Sequence, residues 1–105
     1  MVMPDQSEVM TTLHIEHAIT DFTVWQAAFQ SFAPAREQAG VRAYTVRQPV
    51  DDPHYVVIDL EFDAPSGADA FNNFLHTKVW SVPSSSPALI GAPTTRILAT
   101  RATSE

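Results

Sequence analysis

The stretch Tyr55 to Phe62, Tyr-Val-Val-Ile-Asp-Leu-Glu-Phe, constrains the fold of this chain more than any other. Successive side chains of an extended strand point to opposite faces, so Val56, Ile58, Leu60 and Phe62 share one side. Tyr55, Val57, Asp59 and Glu61 share the other. The first side is greasy enough for helices to cover. The second carries two carboxylates too polar for a dry core, beside Tyr55 and Val57, which are too apolar for open water. Such a face suits a partly covered cavity or a partner subunit.

The remaining sequence supplies elements that fit around this strand. Thr12 to Ile19 alternates in the same way, with Leu13, Ile15, His17 and Ile19 set against His14, Glu16 and Ala18. This predicts a first strand. Thr20 or Asp21 offers an N-cap oxygen for a helix whose buried stripe is Phe22, Trp25, Phe29 and Phe32, with Ala28 on the same face. Pro34 kinks or ends that helix near Ala33, and Gly40 terminates the segment. Val41 to Val50 reads as a second strand, Asp51-Asp52-Pro53 as a turn, and His54 to Phe62 as the third strand of a hairpin. Asp63 or Ser66 is expected to cap a second helix, Ser66 and Asp69 having capping-box spacing. Its stripe is Phe71, Phe74, Leu75 and Val79. Ser81 to Pro87 reads as a loop and Thr94 to Arg101 as the last strand.

The order is β-α-β-β-α-β, which predicts a ferredoxin-like α+β fold with a four-stranded antiparallel sheet and two helices on one face. Right-handed crossovers place the third strand between the first and second, and the fourth beside the first. With 105 residues the chain is expected to form one domain, 11–102, after a flexible tail, 1–10, ahead of an alternative start at Met10. Hydrophobic residues make up 45% and charged residues only 17%, a low share that points to surface buried in an oligomer. A net charge of −6 with scattered basic residues argues against nucleic acid as a partner. Met1 to Val9 lacks the basic and apolar regions of a secretory signal, and no apolar run is long enough to span a membrane. Without cysteine there is no thiolate metal site, thiol nucleophile or disulfide. The expected location is the cytoplasm.

The strand Leu-His-Ile-Glu-His, the helix opening Asp-Phe-Thr-Val-Trp, the strand Tyr-Val-Val-Ile-Asp-Leu-Glu-Phe and the ending Pro-Ala-Leu-Ile-Gly-Ala-Pro-Thr-Thr-Arg-Ile resemble one family in particular. It is the dimeric α/β-barrel proteins, and within them the small antibiotic-biosynthesis-monooxygenase-like proteins. The resemblance spans about Thr11 to Arg101. It implies a homodimer packed sheet against sheet and a cavity for a small hydrophobic or aromatic molecule. It further implies a monooxygenase-like or cyclase-like reaction on an aromatic or polyketide-type substrate without a bound redox cofactor. The rival reading is a non-catalytic small-ligand-binding or interaction protein of the same fold.

His14 and Glu16 lie two apart on the uncovered face, and Asp59 and Glu61 do the same on the neighbouring strand. A histidine beside carboxylates can act as a general base, because the carboxylate stabilises the imidazolium that forms. His14 is therefore the expected base, Glu16 its orienting group, and Asp59 or Glu61 a second acid/base group. The structural alternative is a solvated or intersubunit hydrogen-bond network. No metal is expected, since His14 and His17 fall on opposite faces and cannot join one ligand set. Tyr55 and Arg47 on the open face, and His76 and Trp80 near the end of the second helix, are the expected substrate-binding residues. Arg42, Arg47 and Arg96 are further candidates to meet a substrate anion or the acidic residues across the sheet. In haem-degrading relatives a helix histidine ligates iron beside a tryptophan, but here the order His76–Trp80 and the presence of Glu16 depart from that arrangement. The helical phase of Trp25 places it in the core.

Overall fold

The computed structural model describes residues 10–104, so the tail expected over Met1 to Val9 lies outside the described residues. Four strands form one antiparallel sheet in the order β2-β3-β1-β4. They are β1 (Thr11–Ile19), β2 (Ala43–Arg47), β3 (Tyr55–Phe62) and β4 (Leu89–Ala99). Three α-helices, α1 (Phe22–Ser31), α2 (Ala33–Ala39) and α3 (Pro65–Phe74), accompany the sheet. This is the arrangement that the alternating strands and right-handed crossovers require.

β1 and β3 are the central pair, with Leu13 opposite Leu60 and Ile15 opposite Ile58. Their alternation is complete: every second residue is buried and those between are half-exposed. Leu13, Ile15, Ile19, Val56, Ile58, Leu60 and Phe62 form the sheet side of the core, and Trp25, Ala68, Phe71, Leu75 and Val79 close it from the helices. Each fully buried large side chain contributes roughly 1.5–3 kcal/mol relative to exposure.

The ends of the elements follow local chemistry. Asp21 caps α1, its carboxylate accepting from Val24 N–H at 2.9 Å. α1 stops at Ser31, and α2 begins with Pro34 in its first turn, where a missing N–H costs nothing. Gly40 takes φ +90° and ends α2. The expected side-chain cap of α3 is absent. Ala64 occupies that position, Pro65 opens the helix, and Asp63 instead accepts two bonds from Arg42 Nη1 at 2.7 and 2.8 Å.

Three boundaries differ from expectation. β2 is shorter than Val41–Val50, because Pro49 has no donor for a ladder and the Gln48 amide turns to the carbonyls of Pro53 and Tyr55. α3 runs on into a π-helical turn, Leu75–Val79, in which Trp80 N–H reaches Leu75 O at 2.8 Å. β4 starts at Leu89 rather than Thr94, absorbing Gly91 and Pro93 through a register shift opposite Glu16/Ala18, with Gly91 at φ +70°. No helix among the described residues is long and apolar enough to cross a membrane.

Candidate functional site

The sheet face turned away from the helices carries a chain of bonded polar side chains. Tyr55 Oη donates to Glu16 Oε1 at 2.7 Å, and Glu16 Oε2 lies 2.8 Å from His14 Nε2. His14 Nδ1 lies 2.7 Å from Asp59 Oδ1, and Arg47 Nη1 donates to Asp59 Oδ2 at 3.3 Å. The antiparallel register builds this row, since His14 stands opposite Asp59, which in turn stands opposite Thr45, two residues from Arg47. Glu61 is separate, accepting from Thr12 Oγ1 at 2.6 Å.

Both ring nitrogens of His14 face carboxylate oxygens. Two carboxylates can each accept only if both nitrogens carry protons, so the imidazole is held as its cation. Its pKa is raised, chiefly by the bond to Glu16; burial opposes this, and Asp59 adds to the rise. Glu16 is lowered, first by His14 and then by the Tyr55 hydroxyl, whose own pKa is raised by the same bond. In this state His14 has no lone pair with which to take a proton.

On the other side of the sheet, between it and the helices, lies a cavity of about 80 Å³. Its walls are apolar and aromatic: Ile15, Ile58 and Leu60 from the sheet, Trp25, Phe29, Phe71 and Trp80 from the helical side, and Ser85 to Leu89 from the last connection. Trp25 stacks on Phe29 with ring centroids 4.9 Å apart. Two ionisable side chains enter this lining. His17 is 5% exposed, and its Nδ1 lies 3.0 Å from Ala18 O, which fixes the proton on Nδ1 and leaves the Nε2 lone pair free. Burial pushes the His17 pKa down, so the ring is a neutral base. Arg36 is 6% exposed, with Nη1 donating to Phe29 O at 2.6 Å and its guanidinium 3.8 Å over the Phe29 ring.

Solved structures share this architecture. A dimeric ferredoxin-like protein from an uncultured marine organism matches with a TM-score of 0.67 and 14% identity, over 92% of this chain and 100% of its own. A Nitrosomonas europaea protein of unknown function matches with a TM-score of 0.67 and 12% identity, over 94% of this chain and 96% of its own. SnoaB, a cofactor-independent oxygenase from Streptomyces nogalater, matches with a TM-score of 0.60 and 15% identity, over 92% and 96%. The fold is ferredoxin-like. No family model matches the chain, and no curated protein matches its sequence.

Within this ferredoxin-like frame the expected site residues divide into two groups. His14, Glu16, Asp59, Tyr55 and Arg47 come together on the open sheet face, with Glu61 at one end bonded to Thr12. His76 and Trp80 lie on the helical side, in contact with each other at 4.9 Å between centroids. His76 is exposed, while Trp80 walls the cavity and meets His17 edge-on at 6.4 Å. Arg96 stands opposite His14 on β4, and Arg42 belongs to the ion pair with Asp63. Among the described residues no group of three or more histidine or acidic side chains is arranged to hold a metal ion.

Sequence reasoning passed over His17 and Arg36 as site residues. The signal for His17 was its phase: it follows Leu13 and Ile15 on the covered side of β1, where an imidazole must be buried. Arg36 had no such signal, because its burial depends on Phe29 and Tyr44 from other elements.

Proposed function

We propose that this protein binds a small aromatic molecule in the cavity between sheet and helices and acts on it as a monooxygenase-like or cyclase-like enzyme without a bound redox cofactor. The observation that carries this reading is a buried His17, its Nδ1 bonded to Ala18 O, in the lining of an aromatic-walled cavity. A base of this kind can take a proton from a phenolic hydroxyl or an acidic ring carbon. The electron-rich anion left behind is the species that can react with dioxygen or close a ring unaided. The fold shared with SnoaB supports the oxygenase form of the reading.

The open face then has a different task. Val57 and Tyr55 are half-exposed beside the polar row, and Leu98 is 42% exposed on the neighbouring strand. We assign this face to a homodimer interface, as in the dimeric ferredoxin-like neighbours, with His14 supplying positive charge among Glu16, Asp59 and Glu61. In this assignment none of these four residues touches the ligand.

A second reading, a non-catalytic ligand-binding protein, uses the same cavity without proton transfer at His17. At about 80 Å³ the cavity is roughly half the 150 Å³ that holds one benzene ring, so in either reading its walls move apart as a ring enters. A panel of acidic phenols, followed by dioxygen uptake, separates the two. The enzyme reading expects uptake by the parent protein and a loss of about 10²–10⁴-fold in His17→Gln, with ligand still bound. Binding with neither dioxygen uptake nor conversion of the ligand in the parent protein establishes the second reading instead.

A further inference from the structure

Arg36 is a charged side chain buried where nothing neutralises it. Arg42 pairs with Asp63 and Arg47 with Asp59, whereas Arg36 meets no carboxylate among the described residues. Of the six basic residues Arg36 is the buried one, 6% exposed. Its one hydrogen bond to protein is from Nη1 to Phe29 O. A guanidinium has five N–H donors in a planar fork that matches a carboxylate. The Phe29 ring at 3.8 Å and the Tyr44 ring at 5.1 Å attract the cation but accept no strong hydrogen bond. Burial lowers the Arg36 pKa, opposed only by the smaller effect of Tyr44.

Capping the last turn of α1 explains the bond to Phe29 O. It does not require an arginine, since a lysine or a glutamine donates one hydrogen bond equally well. What a guanidinium adds is a second, planar pair of donors at the edge of an apolar cavity. We infer that the ligand of this cavity is an aromatic carboxylic acid, its ring between the apolar walls and its carboxylate on the free donors of Arg36. This rests on the reading of the cavity as the ligand site, and it narrows the ligand from any small aromatic to an anionic one. The small volume limits it to a single ring at most, and the walls must move apart to take even that.

The test compares benzoate with benzamide, which has nearly the same shape and no charge, by calorimetric titration of the full chain at neutral pH. Benzoate is expected to bind at least about tenfold tighter, the usual advantage of a charge-assisted pair. Arg36→Gln should reduce that ratio to near one, benzoate losing much more affinity than benzamide, an outcome that loss of the helix cap alone would not produce. Arg36→Lys keeps the charge and loses the fork, so its ratio should fall severalfold; it serves also where Arg36→Gln melts too low to titrate. Equal affinity for the two ligands in the parent protein overturns the inference and leaves the cavity reading intact. Binding of neither overturns both, and an undiminished ratio in either folded variant removes Arg36 from the recognition.

Discussion

Ala28→Leu offers a perturbation with opposite effects on stability and on binding. Ala28 is half-buried on α1 and lines the cavity, on the same helix face as Trp25 and Phe32. Leucine adds three carbon atoms at that wall. The cavity measures about 80 Å³. At about 24 cal/mol per Å³, filling it completely is worth about 2 kcal/mol. Three buried carbons at about 0.8 kcal/mol each give a similar ceiling. Fixing the leucine rotamer and shifting Trp25 or Leu75 offset part of this, so a net gain of about 1 kcal/mol is expected. For a domain of this size that raises Tm by about 4 °C or slightly more. The same substitution should abolish binding of a single-ring ligand, measured by titration with phenol. Stability and binding thus move apart, which simple damage to the fold cannot imitate. A variant that binds phenol as tightly as the parent protein refutes the reasoning, whatever its Tm.

Two further outcomes test the opposite face and the two buried or half-buried histidines. His14 has a raised pKa, so its contribution is full below the ordinary value of 6.5 and is lost as pH rises through its folded value. His17 has a lowered pKa, so it destabilises the fold as pH falls below 6.5, where the unfolded chain takes up the proton first. Chemical denaturation from pH 5 to 9 should therefore show His14→Asn flattening the alkaline side of the stability profile and His17→Asn the acid side; unchanged profiles in both would contradict the assigned protonation states. Sedimentation at micromolar concentration should give a dimer that Val57→Glu weakens, and a monomeric parent protein would remove the interface assigned to the open face.

The central hairpin and β1 were legible because their alternation is enforced by burial on one side alone. Leu13, Ile15, Val56, Ile58, Leu60 and Phe62 can be dry only if they share a face. α1 was legible from its aromatic stripe and from Asp21 and Pro34 at its ends. β4 was less so, because Gly91 and Pro93 carry the signature of a loop and are accommodated only by the register shift against β1. The cap of α3 was misread because Asp63 has a stronger alternative partner in Arg42, brought near by the β2–β3 pairing and invisible to local pattern.

The candidate site shows the same division. Strand phase was enough to bring His14, Glu16 and Asp59 together, but not to show that carboxylates would occupy both imidazole nitrogens. The residues of the acidic face are chemically conspicuous in the sequence. The histidine with a free nitrogen stood on the apolar side, where its phase alone marked it. Arg36 is buried by contacts between α1, α2 and β2, and no window of sequence contains them.

The most direct measurement is a carbon-edited NMR titration of the chain with phenol, reading contacts between ligand protons and side-chain methyl and aromatic groups. Contacts to Ile15, Leu75, Val79 and Trp80 are the expected result, since these side chains line the cavity between sheet and helices. Contacts confined to Val57, Tyr55 and Leu98 would put the ligand on the open sheet face and contradict the account.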